Sequence, residues 1–109
     1  MTYALALDLK DDPALIAEYE RYHATMQPEI EASIREAGVT SMIIYRFGNR
    51  LFMTMETDDS FSFERKAQMD ADNPAVQVWE RLMWNYQQAL PGAKPGEKWV
   101  LMQQIYSLS

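Results

Sequence analysis

The chain holds one histidine, His23, four residues after Tyr19. At that spacing the two side chains share one face of a helix. Leu15, Tyr22 and Met26 fall on the same stripe as Tyr19, and Ile16 and His23 flank it. The face is apolar, so the pair points inward. Histidine is the side chain suited to trading protons near neutral pH. Many lone histidines only pack, but one that shares an inward face with a tyrosine is the first candidate for proton transfer.

Glu80 is the second candidate. Val76, Trp79 and Met83 set an apolar helical stripe. At 100° per residue, Glu80 lies about 40° from Val76. A carboxylate there is either a rim residue in solvent or a polar group aimed at a cavity, where it would serve as general acid or base. Three tryptophans and six tyrosines are generous for 109 residues. Most belong to core packing. Sugar pockets, however, set aromatic faces against the C–H face of a ring, and ligand sites generally combine apolar walls with a few convergent polar groups. Tyr19, Tyr45 and Trp79 are the candidates for such a wall.

Composition removes other chemistries. There is no cysteine, hence no disulfide, thiolate nucleophile or zinc-thiolate site. One histidine rules out a multi-histidine metal site within one chain. The net charge of −6 opposes nucleic-acid binding, which rests on Lys and Arg contacts to phosphate, and equally opposes anionic membranes. No GxGxxG or phosphate loop is present, and no serine stands in a nucleophile-elbow pattern. Asp70 and Asp72 lack calcium-loop spacing and read as helix capping. The start of the chain lacks a basic region followed by an apolar run. No stretch approaches the roughly 18 apolar residues of a membrane span. A cytoplasmic protein is expected.

These residues need elements to position them. Tyr3 to Leu9 alternates as a strand. Asp12 caps a helix with Pro13 at its first position. Pro28 restarts a second helix, with Glu29 in its first turn and Ile30, Ile34 and Ala37 as its stripe. Gly38 stops it. Val39–Phe47 and Arg50–Thr57 are strands joined by the hairpin signal Gly48-Asn49. Ser60 or Asp59 caps a short helix to about Met69. Asn73-Pro74 starts another, whose stripe runs from Val76 to Leu90. Trp99–Leu108 is the closing strand.

The order β-α-β-β-α-β, each helical part broken once, predicts a ferredoxin-like α+β fold over residues 1–109 as one domain: four antiparallel strands with helices on one face. The other face should be polar in a monomer. Instead the strands carry apolar residues on both sides: Ile43, Tyr45 and Phe47 oppose Met42 and Ile44, and Phe52 opposes Leu51, Met53 and Met55. An exposed apolar face marks an interface or a ligand cavity. A homodimer packing sheet on sheet is expected, with a pocket on or beside that face. Longer loops folding over the sheet are the alternative.

Tyr19-Glu-Arg21-Tyr-His23, then Pro28-Glu29 and Gly38, resembles the first helical part of the L-rhamnose mutarotase family. Ile43-Ile-Tyr45, Leu51-Phe52, Trp79 before Met83, and Gln104-Ile-Tyr-Ser-Leu108 extend the likeness over essentially the whole chain. The resemblance implies a ferredoxin-like homodimer without metal or cofactor that interconverts the anomers of a 6-deoxy-hexose in the cytoplasm. It makes His23 the proton donor, Tyr19 a sugar-binding tyrosine and Trp79 the first of a sugar-contacting tryptophan pair. Glu80 stands where the family has the second tryptophan, Met42 where it has a sugar-contacting tyrosine, and Gln27 where it has a tryptophan before the Pro-Glu. These departures leave the sugar open between L-rhamnose and L-fucose. Glu80, or Asp8 on the first strand, is expected to take the anomeric proton or hold hydroxyls. Two rivals remain: a dimeric monooxygenase or haem-binding protein, and a non-catalytic sugar-binding module.

Overall fold

Three of the four helices begin where a side chain takes a free amide of the first turn. The computed structural model describes residues 1–109. Helix α1 (Pro13–Ala24) is capped by Asp12, whose carboxylate accepts from the amides of Ala14 and Leu15 at 2.9 and 3.3 Å. Helix α2 (Pro28–Glu36) carries Glu29 and Glu31 in its first turn, where they favour the positive end of the helix dipole. Gly38 follows it at φ 103°. A Cβ there would meet the Asp58 carboxylate and the Ser60 hydroxyl at 2.7 Å, so glycine is required on two counts. Arg65 donates to the Glu36 and Ala37 carbonyls at 3.2 and 3.0 Å, satisfying the end of α2.

Helix α3 (Phe63–Ala71) is capped by Ser62, not by Ser60 or Asp59. Ser60 is already held by the Asp58 carboxylate, through its hydroxyl at 2.6 Å and its amide at 2.9 Å. Helix α4 (Pro74–Trp84) starts on an Asn73 cap. It ends at Trp84, six residues before the end of its apolar stripe at Leu90. The chain turns at Asn85, Tyr86 enters the core, and the Lys10 amide donates to the Tyr86 carbonyl at 2.8 Å.

Strands β1 (Thr2–Leu9), β2 (Val39–Phe47) and β3 (Arg50–Thr57) run antiparallel in the order β2-β3-β1. The Gly48-Asn49 hairpin is tied to the end of β1, with Asn49 donating its side-chain amide to the Leu9 carbonyl at 3.0 Å. Two short strands then share the outer edge of β1. Strand β4 (Gln87–Gln88) pairs with Asp8 and Leu9, and β5 (Val100–Leu101) with Leu5 and Ala6. The expected closing strand Trp99–Leu108 is therefore corrected to two paired residues, plus a Met102 amide donating to Ala4 at 2.8 Å. The reason is edge length. Strand β5 joins β1 midway, because β4 occupies its far part, and only Thr2 and Tyr3 remain beyond Ala4. The chain from Gln103 onward has no regular structure and is exposed.

Alternation sorts the side chains. Leu5, Leu7 and Leu9 of β1 and Leu51, Met53 and Met55 of β3 are buried beneath the helices, with Leu5 opposite Met53 and Leu7 opposite Leu51. They join Tyr19, Met83, Tyr86 and Val39 in the core. Burying each leucine contributes about 1.5–3 kcal/mol. The intervening residues face the other way. There Tyr45 and Phe52 are cross-strand partners with ring centroids 6.3 Å apart, and Arg50 grips the buried Asp8 carboxylate through two hydrogen bonds, at 2.8 and 3.1 Å.

Candidate active site

A cavity of about 640 Å³ lies between the helices and the covered face of the sheet. The sequence placed the pocket on or beside the uncovered face, and the structure overturns that. Helix α4 packs on α2 and α3. Helix α1 instead meets α4 through rings, with Tyr22 and His23 standing 6.4 and 5.6 Å from Trp79 between centroids. Rings of that size hold the helices apart, and the space beneath opens onto Met42 and Ile44 of β2 and Met53 of β3. Arg46 of β2 pairs with Glu20 of α1 and ties the strand to the helix.

His23 stands in the cavity wall, half-buried. Its Nδ1 lies 2.9 Å from the Tyr19 carbonyl oxygen one turn back. A carbonyl only accepts, so Nδ1 carries the hydrogen and Nε2 keeps its lone pair. Burial pushes the imidazole below its ordinary pKa, and the bond to Tyr19 offsets only part of that. The ring is thus neutral at pH 7, with one nitrogen pinned and the other a free base. The Tyr19 and Trp79 rings flank it, the former 4.3 Å away between centroids.

Tyr19 is buried, and its phenol accepts a hydrogen bond from Gln87 Nε2 at 3.4 Å. Burial raises its pKa, more than the Gln87 bond lowers it, and so keeps its own proton in place. Glu80 resolves between its two alternatives as both: it lines the cavity and sits at its rim, its side chain 39% exposed, with Lys98 Nζ 4.0 Å away. A pair so open and so long is worth about 0–1 kcal/mol. Lys98 also lies 5.2 Å from the centroid of the Trp84 ring, so the loop after β4 is anchored beside the opening.

The structure thus brings together Tyr19, His23, Met42, Trp79 and Glu80. It does not bring in Tyr45 or Asp8. Tyr45 is odd-numbered on a strand whose even residues Met42 and Ile44 face the cavity, and it lies exposed on the opposite side. Asp8 falls between Leu7 and Leu9 for the same reason, and Arg50 holds its carboxylate. Among the polar lining residues that escaped the sequence reading are Gln87 and Lys98. Gln87 fell within the helix drawn to Leu90, and Lys98 just before the expected closing strand; neither carries a local signal. No three histidine, aspartate or glutamate side chains are grouped as ligands for a metal ion.

The family model for L-rhamnose mutarotase matches residues 2–108. An L-fucose mutarotase of Xanthomonas campestris pv. campestris is 48% identical over 105 residues, covering 94% of this chain and 84% of that one. An L-rhamnose mutarotase of Acidiphilium cryptum is 28% identical, covering 84% and 86%. Among solved structures, the L-rhamnose mutarotase of Formosa agariphila superposes with a TM-score of 0.73 over 100% of this chain and 99% of its own, at 18% identity, a likeness of fold. With the match running from the first strand to the last residues of the tail, the chain belongs to the L-rhamnose mutarotase family.

Proposed function

We propose that this protein is a mutarotase that interconverts the α and β anomers of a 6-deoxy-hexose by acid–base ring opening at His23, with L-fucose preferred over L-rhamnose. The observation that carries the reading is the state of His23: a neutral ring in an apolar wall, Nδ1 bonded to the Tyr19 carbonyl and Nε2 free. The preference for L-fucose draws on the 48% identity to an L-fucose mutarotase, against 28% to an L-rhamnose mutarotase. The family match gives the monooxygenase and haem readings no support.

Ring opening removes a proton from the anomeric hydroxyl and delivers one to the ring oxygen. Both oxygens are bonded to the same carbon, so one nitrogen serves both. His23 Nε2 takes the anomeric proton, the bond from C-1 to the ring oxygen breaks as the aldehyde forms, and the proton passes from Nε2 to the ring oxygen. Rotation about C-1–C-2 and the reverse steps give the other anomer. His23 is thus the donor that the family resemblance implies, and the base as well. Trp79 packs against the C–H face of the sugar, Met42 supplies apolar wall, and Glu80 at the rim accepts from hydroxyls. Asp8, bonded to Arg50 on the other face, takes no part.

In this reading the enzyme is a cytoplasmic homodimer joined through the uncovered sheet face. Ile43, Tyr45, Phe47 and Phe52 are all exposed there, and a contiguous apolar surface on a small domain favours a partner. Proton NMR saturation transfer between the two anomeric signals tests the activity on L-fucose, L-rhamnose and common hexoses. Faster exchange is expected for L-fucose above the rest; acceleration of no sugar overturns the reading.

A further inference from the structure

The cavity floor holds a polar pair that proton transfer does not use. Gln87 is 6% exposed and Tyr19 4% exposed, and both line the cavity. Gln87 pairs with Leu9 across β4 and β1, which turns its side chain to the covered face. Its Nε2 donates to the Tyr19 hydroxyl at 3.4 Å. Its carboxamide oxygen takes no hydrogen bond from the protein, yet is not sealed from the cavity. The Tyr19 hydroxyl keeps a proton to give. A free acceptor and a free donor therefore stand side by side in a cavity whose lining also includes the apolar Leu5, Met53 and Met83. Such groups are costly to desolvate unless a ligand completes them.

We infer that Gln87, together with Tyr19, is the specificity-determining element of the site: the two read the configuration of neighbouring ring hydroxyls. One hydroxyl donates to the Gln87 oxygen and the next accepts from Tyr19. An epimer with one of these hydroxyls inverted leaves the protein group that reads it buried and unpaired. Sites that hydrogen-bond a substrate hydroxyl discriminate far more strongly than apolar pockets do. L-Fucose and L-rhamnose differ in configuration at C-2 and C-4, so a configuration reader separates them. The inference rests on the cavity being the 6-deoxy-hexose site proposed above.

Gln87→Met keeps the length of the side chain and removes both polar atoms. Tyr19→Phe keeps the ring and removes the hydroxyl. kcat and KM for anomer exchange are measured on both sugars in the intact protein and in the two variants, with thermal melts to confirm folding. Each variant should lower kcat/KM for the preferred sugar about tenfold, mainly through KM, and for the other sugar by less than about threefold. Equal losses on both sugars assign Gln87 a packing role and overturn the inference. If Gln87→Met does not fold, an unchanged sugar preference in Tyr19→Phe overturns it alone. An unmodified protein that accelerates neither sugar overturns the mutarotase reading itself, and this inference with it.

Discussion

The two faces of one sheet have divergent fates. The same strands supply both, residue by residue in alternation, so composition does not separate them. On the covered face Leu5, Leu7, Leu9, Met53 and Met55 are buried, and the space that α1 and α4 leave above them holds the histidine. On the other, Tyr45 is 55% exposed and Phe47 91% exposed, and the one charged group drawn inward, Asp8, is neutralised by Arg50 across the strand pair. A titratable side chain beneath the helices is desolvated and loses its charge, as His23 does. Asp8, on the open side, is buried as well, but its carboxylate is already taken by Arg50. The difference teaches that a buried polar group can do chemistry only where a space adjoins it and one of its atoms stays unpaired.

The comparison breaks most sharply at the histidine. His23→Ala should slow anomer exchange by about 10²–10⁴-fold in kcat, measured by saturation transfer, while Tyr45→Ala on the far face stays within about twofold. Equal losses in the two variants would erase the distinction. Stability should divide the same way. Leu7→Ala should cost about 2–5 kcal/mol in urea unfolding, because the leucine is fully enclosed and leaves a cavity. Phe47→Ala should change stability by about 0.5 kcal/mol or less in the isolated protomer.

Assembly tests the open face alone. Phe52→Lys places a charge among exposed rings and should shift sedimentation equilibrium from dimer to monomer at micromolar concentration. A species that sediments as a monomer before substitution would sink the dimer proposal. The smallest effect is on pH. The base must be neutral, and burial lowers the His23 pKa, so kcat/KM should bend downward only below about 6.5, the ordinary imidazole value. Stability follows the same sign. The unfolded ring binds its proton first as pH falls, so the contribution of neutral His23 is whole above about 6.5 and is lost as pH drops through the lowered value. His23→Asn should flatten urea midpoints across that window.

Much of this was legible in the residues. Asp12 and Asn73 before prolines, Gly48-Asn49 between alternating runs and Gly38 after α2 act within a few residues, and each marks its boundary in the structure. The Tyr19–His23 juxtaposition was equally local, since helix geometry alone brings them to one face. What stayed hidden is non-local. The sequence put the apolar face on view and attached the pocket to it, because period-2 alternation reports two faces without saying which one the helices leave room above. The stripe of α4 ran on to Leu90 because nothing nearby stops it.

By itself the sequence determined the Asp12 and Asn73 caps, the hairpin, the alternation and the helical face shared by Tyr19 and His23, all of which follow from backbone geometry over one or two turns. Tertiary structure alone decided that α4 yields at Trp84, that Gln87 crosses to pair with Leu9 and so enters the cavity, and that the last strand runs off β1 after Met102. Those outcomes turn on which amides and carbonyls remain free along one strand edge. That edge is set by chain segments some 80 residues apart in sequence, beyond the reach of any local pattern.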